Sequence, residues 1–280
     1  MSRHRESRNA RSDEIRIPTY GKSGKWGHPS LLAQLRDIHI PSLPEHLYRE
    51  CMPRTARSIV GGYVYHLINR GNGHARIFHD HADYRGFLRI VGEAQERVSV
   101  EIIAACLMPN HFHFVVRPRG DDDLAHWTHW LCTTHVRRHH KRYGTSGRVW
   151  QGRFKAFAIQ QDSHLLTVLR YVERNPLRAS LVERAEHWPW GSLRWRIQGG
   201  SPVELASPPG ALPLNWIEYV NSPQTAAELE SIRVCVNRQR PYGDQSWAER
   251  TAWDLGMAQT LRPVGRPRRR QSPMSDTAAE

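Results

Sequence analysis

Two short, well-separated segments carry the side chains best suited to chemistry in this 280-residue chain. The first, Met108-Pro109-Asn110-His111-Phe112-His113-Phe114, sets two imidazoles at i and i+2 within an apolar run. On a strand such a pair shares one face and can chelate a divalent ion, while Phe112 and Phe114 turn to the opposite face and the core. The second, Tyr171-Val172-Glu173-Arg174-Asn175-Pro176, reads as a helix end that puts a phenol and a carboxamide on one face. Brought together, they would supply a metal site and an oxygen nucleophile, the combination that cuts a phosphodiester.

Each segment also has a plainer reading. With 17 histidines in the chain, His-x-His arises from composition alone, and a second copy exists at His79-Asp80-His81. That copy lies in a polar stretch leading into a helix and is expected to be a turn and N-cap. His111 and His113 could be half-exposed structural histidines. Tyr171 could be a boundary tyrosine, with Asn175-Pro176 simply ending its helix.

The elements that must position these groups follow from periodicity. Asp162 or Ser163 caps the tyrosine helix, and Leu165, Leu166, Leu169 and Val172 form its core stripe. Upstream, the pattern predicts strands over 63–69, 100–107, 111–117 and 154–160, with helices over 83–97 and 124–142. This βαββαβ order specifies an α+β, ferredoxin-like antiparallel sheet with packed helices. Asn69-Arg70-Gly71-Asn72-Gly73 reads as a turn after the first strand, from which Arg70 could reach DNA.

Residues 1–57 are polar and punctuated by Pro and Gly, as expected of a poorly ordered extension, and residues 199–210 read as a linker. Residues 211–264 are expected to form a helical accessory region with Trp216, Leu229, Ile232, Val236, Trp247 and Trp253 available for a small core. Residues 265–280 form a basic tail whose Arg266, Arg268 and Arg269 could enter a DNA groove.

A formal net charge of +13 suits a polyanionic partner. Arg137, Arg138, Lys141 and Arg142 fall on one predicted helix, Arg153 and Lys155 follow beside Trp150, and these cations are expected to cluster around the proposed site as DNA contacts. Cations with aromatics suit backbone tracking and base stacking on single strands, although solvated helix faces and core tryptophans give the same composition. The chain shows neither an apolar run of membrane-spanning length nor the hydrophobic core of a signal peptide. Cys51, Cys106, Cys132 and Cys235 have no CxxC spacing and read as reduced thiols of a cytoplasmic protein.

The run from about Val64 to Trp195 resembles the REP-associated tyrosine transposases, a branch of the single-tyrosine HUH (His-hydrophobic-His) superfamily. The matching residues are Met108–His113, Trp150-Gln151-Gly152-Arg153-Phe154, Tyr171–Ala179 and Trp188-Pro189-Trp190-Gly191-Ser192-Leu193. Arg240–Asp244 and Leu261–Pro267 are similar to the C-terminal part of longer members. The resemblance implies that residues 58–198 form an HUH domain with the ferredoxin-like fold. It implies that His111 and His113 hold Mg²⁺ or Mn²⁺ and that Asn175 falls where a polar third ligand sits. It also implies that Tyr171 attacks a single-stranded DNA phosphate, leaving a 5′-phosphotyrosine and a free 3′-OH.

The partners so implied are single-stranded DNA and hairpins of repetitive extragenic palindromes (REP) at the nucleoid, with the protein a monomer or a dimer. A protein that recognises such hairpins without cutting is the other class. An RNA-binding sheet is a third, but no aromatic RNP pattern is present.

Overall fold

The computed structural model describes residues 59–262. The expectations for residues 1–57 and for Arg266, Arg268 and Arg269 lie outside the described residues. The first elements are β1 (Val64–Arg70), α1 (His81–Arg97), β2 (Val100–Met108), β3 (His111–Pro118), α2 (Asp123–Tyr143), β4 (Lys155–Ile159) and α3 (Ser163–Glu173). The sheet runs in the order β2-β3-β1-β4 with every neighbouring pair antiparallel. This is the ferredoxin-like arrangement that the element order specifies.

Strand alternation divides the molecule into two cores. Tyr65 and Leu67 of β1 and Phe112, Phe114 and Val116 of β3 pack with Phe87 of α1 and Trp127 of α2. Val64 and Val115, with Phe157 of β4, face the other way onto Leu165, Leu169, Tyr171 and Val172 of α3. A register shift between Ile102 and Ala104 lets β2 change parity, so Cys106 and Met108 also face α3. His111 and His113 therefore lie on the α3 side, as their parity with Phe112 and Phe114 requires. Asp80 accepts from the backbone N–H groups of Ala82 and Asp83, so His79-Asp80-His81 is the turn and cap expected of it.

The same geometry corrects two expectations. Trp150 is buried in the first core, its ring centroid 5.1 Å from His135 and 5.2 Å from Phe112, so protein already fills the faces a base would need. Arg137, Arg138, Lys141 and Arg142 lie on α2, across the sheet from Tyr171, because the β3–α2–β4 crossover runs over the Phe112 face. They do not gather around the tyrosine. Arg142 pairs with Asp80 at 2.5 Å and Asp83 at 3.2 Å. The Arg138 guanidinium lies over Gly86, where an added Cβ would meet it at 2.3 Å.

Beyond α3 come α4 (Asn175–Arg178), α5 (Ser192–Gln198), α6 (Trp216–Asn221), α7 (Ala226–Arg238) and α8 (Gln245–Asp254). Trp216, Val220, Ile232 and Cys235 join the second core rather than building one of their own, and Trp253 is 73 % exposed. Residues 199–210 are not a free linker either. Val203 is buried, and the Ala206 N–H donates to the Ile102 carbonyl at 2.8 Å, laying this stretch along the edge of β2.

Polar contacts fix the later helices to α3. Arg170 donates to the Ser222 and Pro223 carbonyls, each at 2.8 Å, and Arg174 to those of Val220 and Asn221, taking up orphan acceptors at the end of α6. The buried Glu173 carboxylate accepts from Ser192 Oγ at 2.6 Å and Trp216 Nε1 at 2.8 Å.

Candidate metal and tyrosine centre

His111 and His113 of β3, Tyr171 of α3, and Asn175 and Arg178 of α4 line one cavity of about 350 Å³. Ile68 and Arg70 of β1, Met108, Ala179, and Arg233, Val236 and Asn237 of α7 complete its wall. The structure thus brings together all four residues of the two motifs that open the sequence argument.

A hydrogen bond sets the tautomer of His111. Asn110 donates its amide Nδ2 to the His74 carbonyl at 3.1 Å, which turns its Oδ1 to His111 Nδ1 at 2.6 Å. An amide oxygen only accepts, so His111 carries its proton on Nδ1 and keeps a lone pair on Nε2. His113 Nδ1 lies 2.8 Å from Nε2 of His66, with the two rings stacked at 5.0 Å. His113 Nε2 is buried and has no hydrogen-bond partner among the described residues. When His113 donates from Nδ1 to His66, its Nε2 lone pair is also free. A metal-binding imidazole needs this arrangement, with one nitrogen oriented by a partner and the other bare.

The electrostatics agree. Burial pushes His66 and His111 down to about 3 and His113 well below its ordinary value. For His111, Arg70 and Arg178 add to the effect of burial. All three rings are neutral at pH 7, the protonation state a cation requires of its ligands.

Tyr171 is buried, its ring edge-on to His113 at 5.8 Å and to His66 at 6.0 Å. The Arg178 guanidinium sits 4.4 Å from the tyrosine ring centroid and donates to Asn175 Oδ1 at 2.8 Å. That amide oxygen has one lone pair engaged and one left. Among the described residues there is no group of three or more His, Cys, Asp or Glu that could hold a metal. The donors this cavity offers are two imidazole nitrogens and the Asn175 oxygen.

A second basin of about 300 Å³ adjoins the first, sharing Ile68, Arg70, Val236 and Asn237 with it. Asn69, Gln151, Gly152, Arg153 and Lys155 complete it, so Arg70, Arg153 and Lys155 do converge beside the tyrosine. Sequence reasoning missed His66, Asn110, Arg178 and the α7 residues as members of the site. His66 alternates with Val64 and Ile68 on one face of β1, but only the β1–β3 pairing, which sets Ile68 opposite His113, places it in the site.

Residues 59–175 match the family described as transposase IS200-like. Over 126 residues the chain is 31% identical to a protein assigned as a REP-associated tyrosine transposase in Haemophilus influenzae, covering 38% of this chain and 71% of that one. It is 22% identical over 150 residues to the REP-associated tyrosine transposase of Escherichia coli K12, covering 53% of this chain and 87% of that protein. Among solved structures, that of a REP-associated tyrosine transposase bound to a REP hairpin aligns with a TM-score of 0.44 and 20% identity, over 58% of this chain and 100% of the other. The chain belongs to the REP-associated tyrosine transposases.

Proposed function

We propose that this protein cleaves and rejoins single-stranded DNA beside palindromic hairpins, with Tyr171 as the nucleophile. His111, His113 and Asn175 would hold Mg²⁺ or Mn²⁺. One observation carries the reading: two neutral imidazoles with uncommitted Nε2 atoms and a phenol share one cavity. The relatives' association with REP elements supports palindromic hairpins as the partner. No helix among the described residues is long and apolar enough to cross a membrane, and we place the protein in the cytoplasm at the nucleoid.

When bound, the divalent ion supplies positive charge that polarises the scissile phosphate and steadies the leaving oxygen. The Tyr171 hydroxyl oxygen bonds to phosphorus as the bond from phosphorus to the 3′ oxygen breaks. The phenolic proton passes to solvent, and the departing 3′ oxygen takes up a proton. Arg178, over the ring, favours the developing phenolate, while Arg70 and Arg233 face the cavity as phosphate partners. Contacts from Arg170, Glu173 and Arg174 hold α3, and with it the nucleophile, against the sheet. Attack by a 3′-OH on the phosphotyrosine reverses the step and rejoins a strand, with no bond energy lost.

The test presents one oligonucleotide as a hairpin with a single-stranded flank and as a perfect duplex, at equal salt. Cutting is expected in the flank, with Mg²⁺ or Mn²⁺ required and EDTA abolishing it. Equal or faster cutting of the duplex, or undiminished cutting in EDTA, would overturn the reading. Binding to the hairpin with no cutting at all would identify a structure-specific binder instead.

A further inference from the structure

Helix α7 lies outside the matched residues 59–175, yet Val236 and Asn237 line both the tyrosine cavity and the basin beside it. We infer that this basin is a nucleotide subsite, seating one base of the single strand next to the phosphate that Tyr171 attacks. The inference rests on the cleavage reading above and adds a base-reading site partly built by the accessory helix.

The lining suits a base and its phosphates. Ile68 from β1 and Val236 from α7 supply apolar surface from two elements. The side-chain amides of Gln151 and Asn237 make no hydrogen bond among the described residues, and each offers both a donor and an acceptor to a base edge. Arg153 and Lys155 have no ion-pair partner among the described residues and stand beside Arg70 for phosphates. A volume of about 300 Å³ lies within the range of small-molecule sites. Because both cavities share Ile68, Arg70, Val236 and Asn237, a strand passes from one to the other along Arg70.

The burial of Trp150 on the opposite face sharpens the expectation. Aromatic stacking accepts every base, since each has a π-face. With that platform removed, aliphatic contact and edge hydrogen bonds hold the base, and such bonds discriminate. The subsite therefore distinguishes among the four bases.

The experiment measures binding with the full-length Tyr171→Phe protein, so its result does not depend on cleavage. A hairpin oligonucleotide carries an abasic residue at each position flanking the scissile phosphate in turn. One position is expected to lose about tenfold in affinity, in the range of a base edge read by hydrogen bonds. At that position Asn237→Ala and Gln151→Ala narrow the difference among the four bases, and neither variant loses much further affinity to the abasic residue. Asn237 is exposed, so its truncation leaves the fold intact.

Gly152→Leu gives a second route, because a Cβ there meets nothing within 4 Å. The larger side chain reduces the basin, and binding becomes weaker and insensitive to the base while the melting temperature holds. Equal affinities across the abasic series, or an abasic penalty unchanged in both Asn237→Ala and Gly152→Leu, would overturn the subsite. An abasic penalty that responds to these variants in a protein whose wild type forms no covalent adduct would keep the subsite and overturn the cleavage reading.

Discussion

At the scale of single residues, the centre depends on which nitrogen of each imidazole carries the proton. The His-x-His spacing shows in the sequence that two rings share a face, but it does not show what orients them. His66 sits 47 residues from its partner His113 and becomes visible only when β1 pairs with β3. Asn110, by contrast, adjoins His111 and yet gives no sign of its role until the His74 carbonyl fixes its amide. His66→Phe keeps a flat ring in the stack and removes the acceptor. Mn²⁺ affinity, read by titration of the free-ion electron paramagnetic resonance signal, is expected to fall roughly 10- to 100-fold. His66→Gln, whose amide oxygen accepts, recovers part of that loss. Wild-type affinity in the Phe variant would show that His66 does not set the tautomer of His113.

At the scale of elements, α3 links the reaction to the rest of the fold. Its stripe of Leu165, Leu169 and Val172 was legible because helical periodicity is local. Its clamp was not, since the carbonyls that Arg170 and Arg174 reach belong to α6, far along the chain. Glu173 lies within one of the motifs but faces away from the cavity, into Ser192 and Trp216. Glu173→Ala strands Ser192 Oγ and Trp216 Nε1 in a buried place and removes the ion pair with Arg196 at 3.5 Å. Stability measured by urea unfolding is expected to drop by about 3 kcal/mol, from two unsatisfied groups at 1–3 kcal/mol each. A loss under about 1 kcal/mol would mean that α5 and α6 do not depend on this carboxylate.

At the scale of the whole molecule, the sheet order was legible and the distribution of charge was not. The cations of α2 read as part of the site because charge patterning does not reveal which sheet face a crossover helix will cover. Burial also gives the molecule an acid limit. His66, His111 and His135 are pushed down to about 3 by burial, and His113 goes down for the same cause. Above an unfolded value near 6.5 these rings are neutral in both states, and their contribution to stability is complete. As pH falls below about 6.5, the unfolded chain takes up protons that the folded chain refuses, so stability declines toward pH 3. The slope approaches about 1.4 kcal/mol per pH unit for each such histidine. Urea midpoints at pH 7.5 and pH 5.0 check this, and equal midpoints would contradict it.

The central claim is that Tyr171 becomes covalently joined to DNA. The direct measurement incubates the protein with a hairpin oligonucleotide bearing a labelled single-stranded flank and Mn²⁺, then resolves the products under denaturing conditions. Because the Tyr171 hydroxyl has no hydrogen-bond partner among the described residues, Tyr171→Phe is expected to change stability by about 1 kcal/mol or less. Wild-type protein should carry label at the mass of a protein–DNA adduct, with the modified peptide containing Tyr171, and Tyr171→Phe should carry none. An adduct of equal yield in the Phe variant would contradict the account, because the nucleophile would then lie elsewhere in the chain.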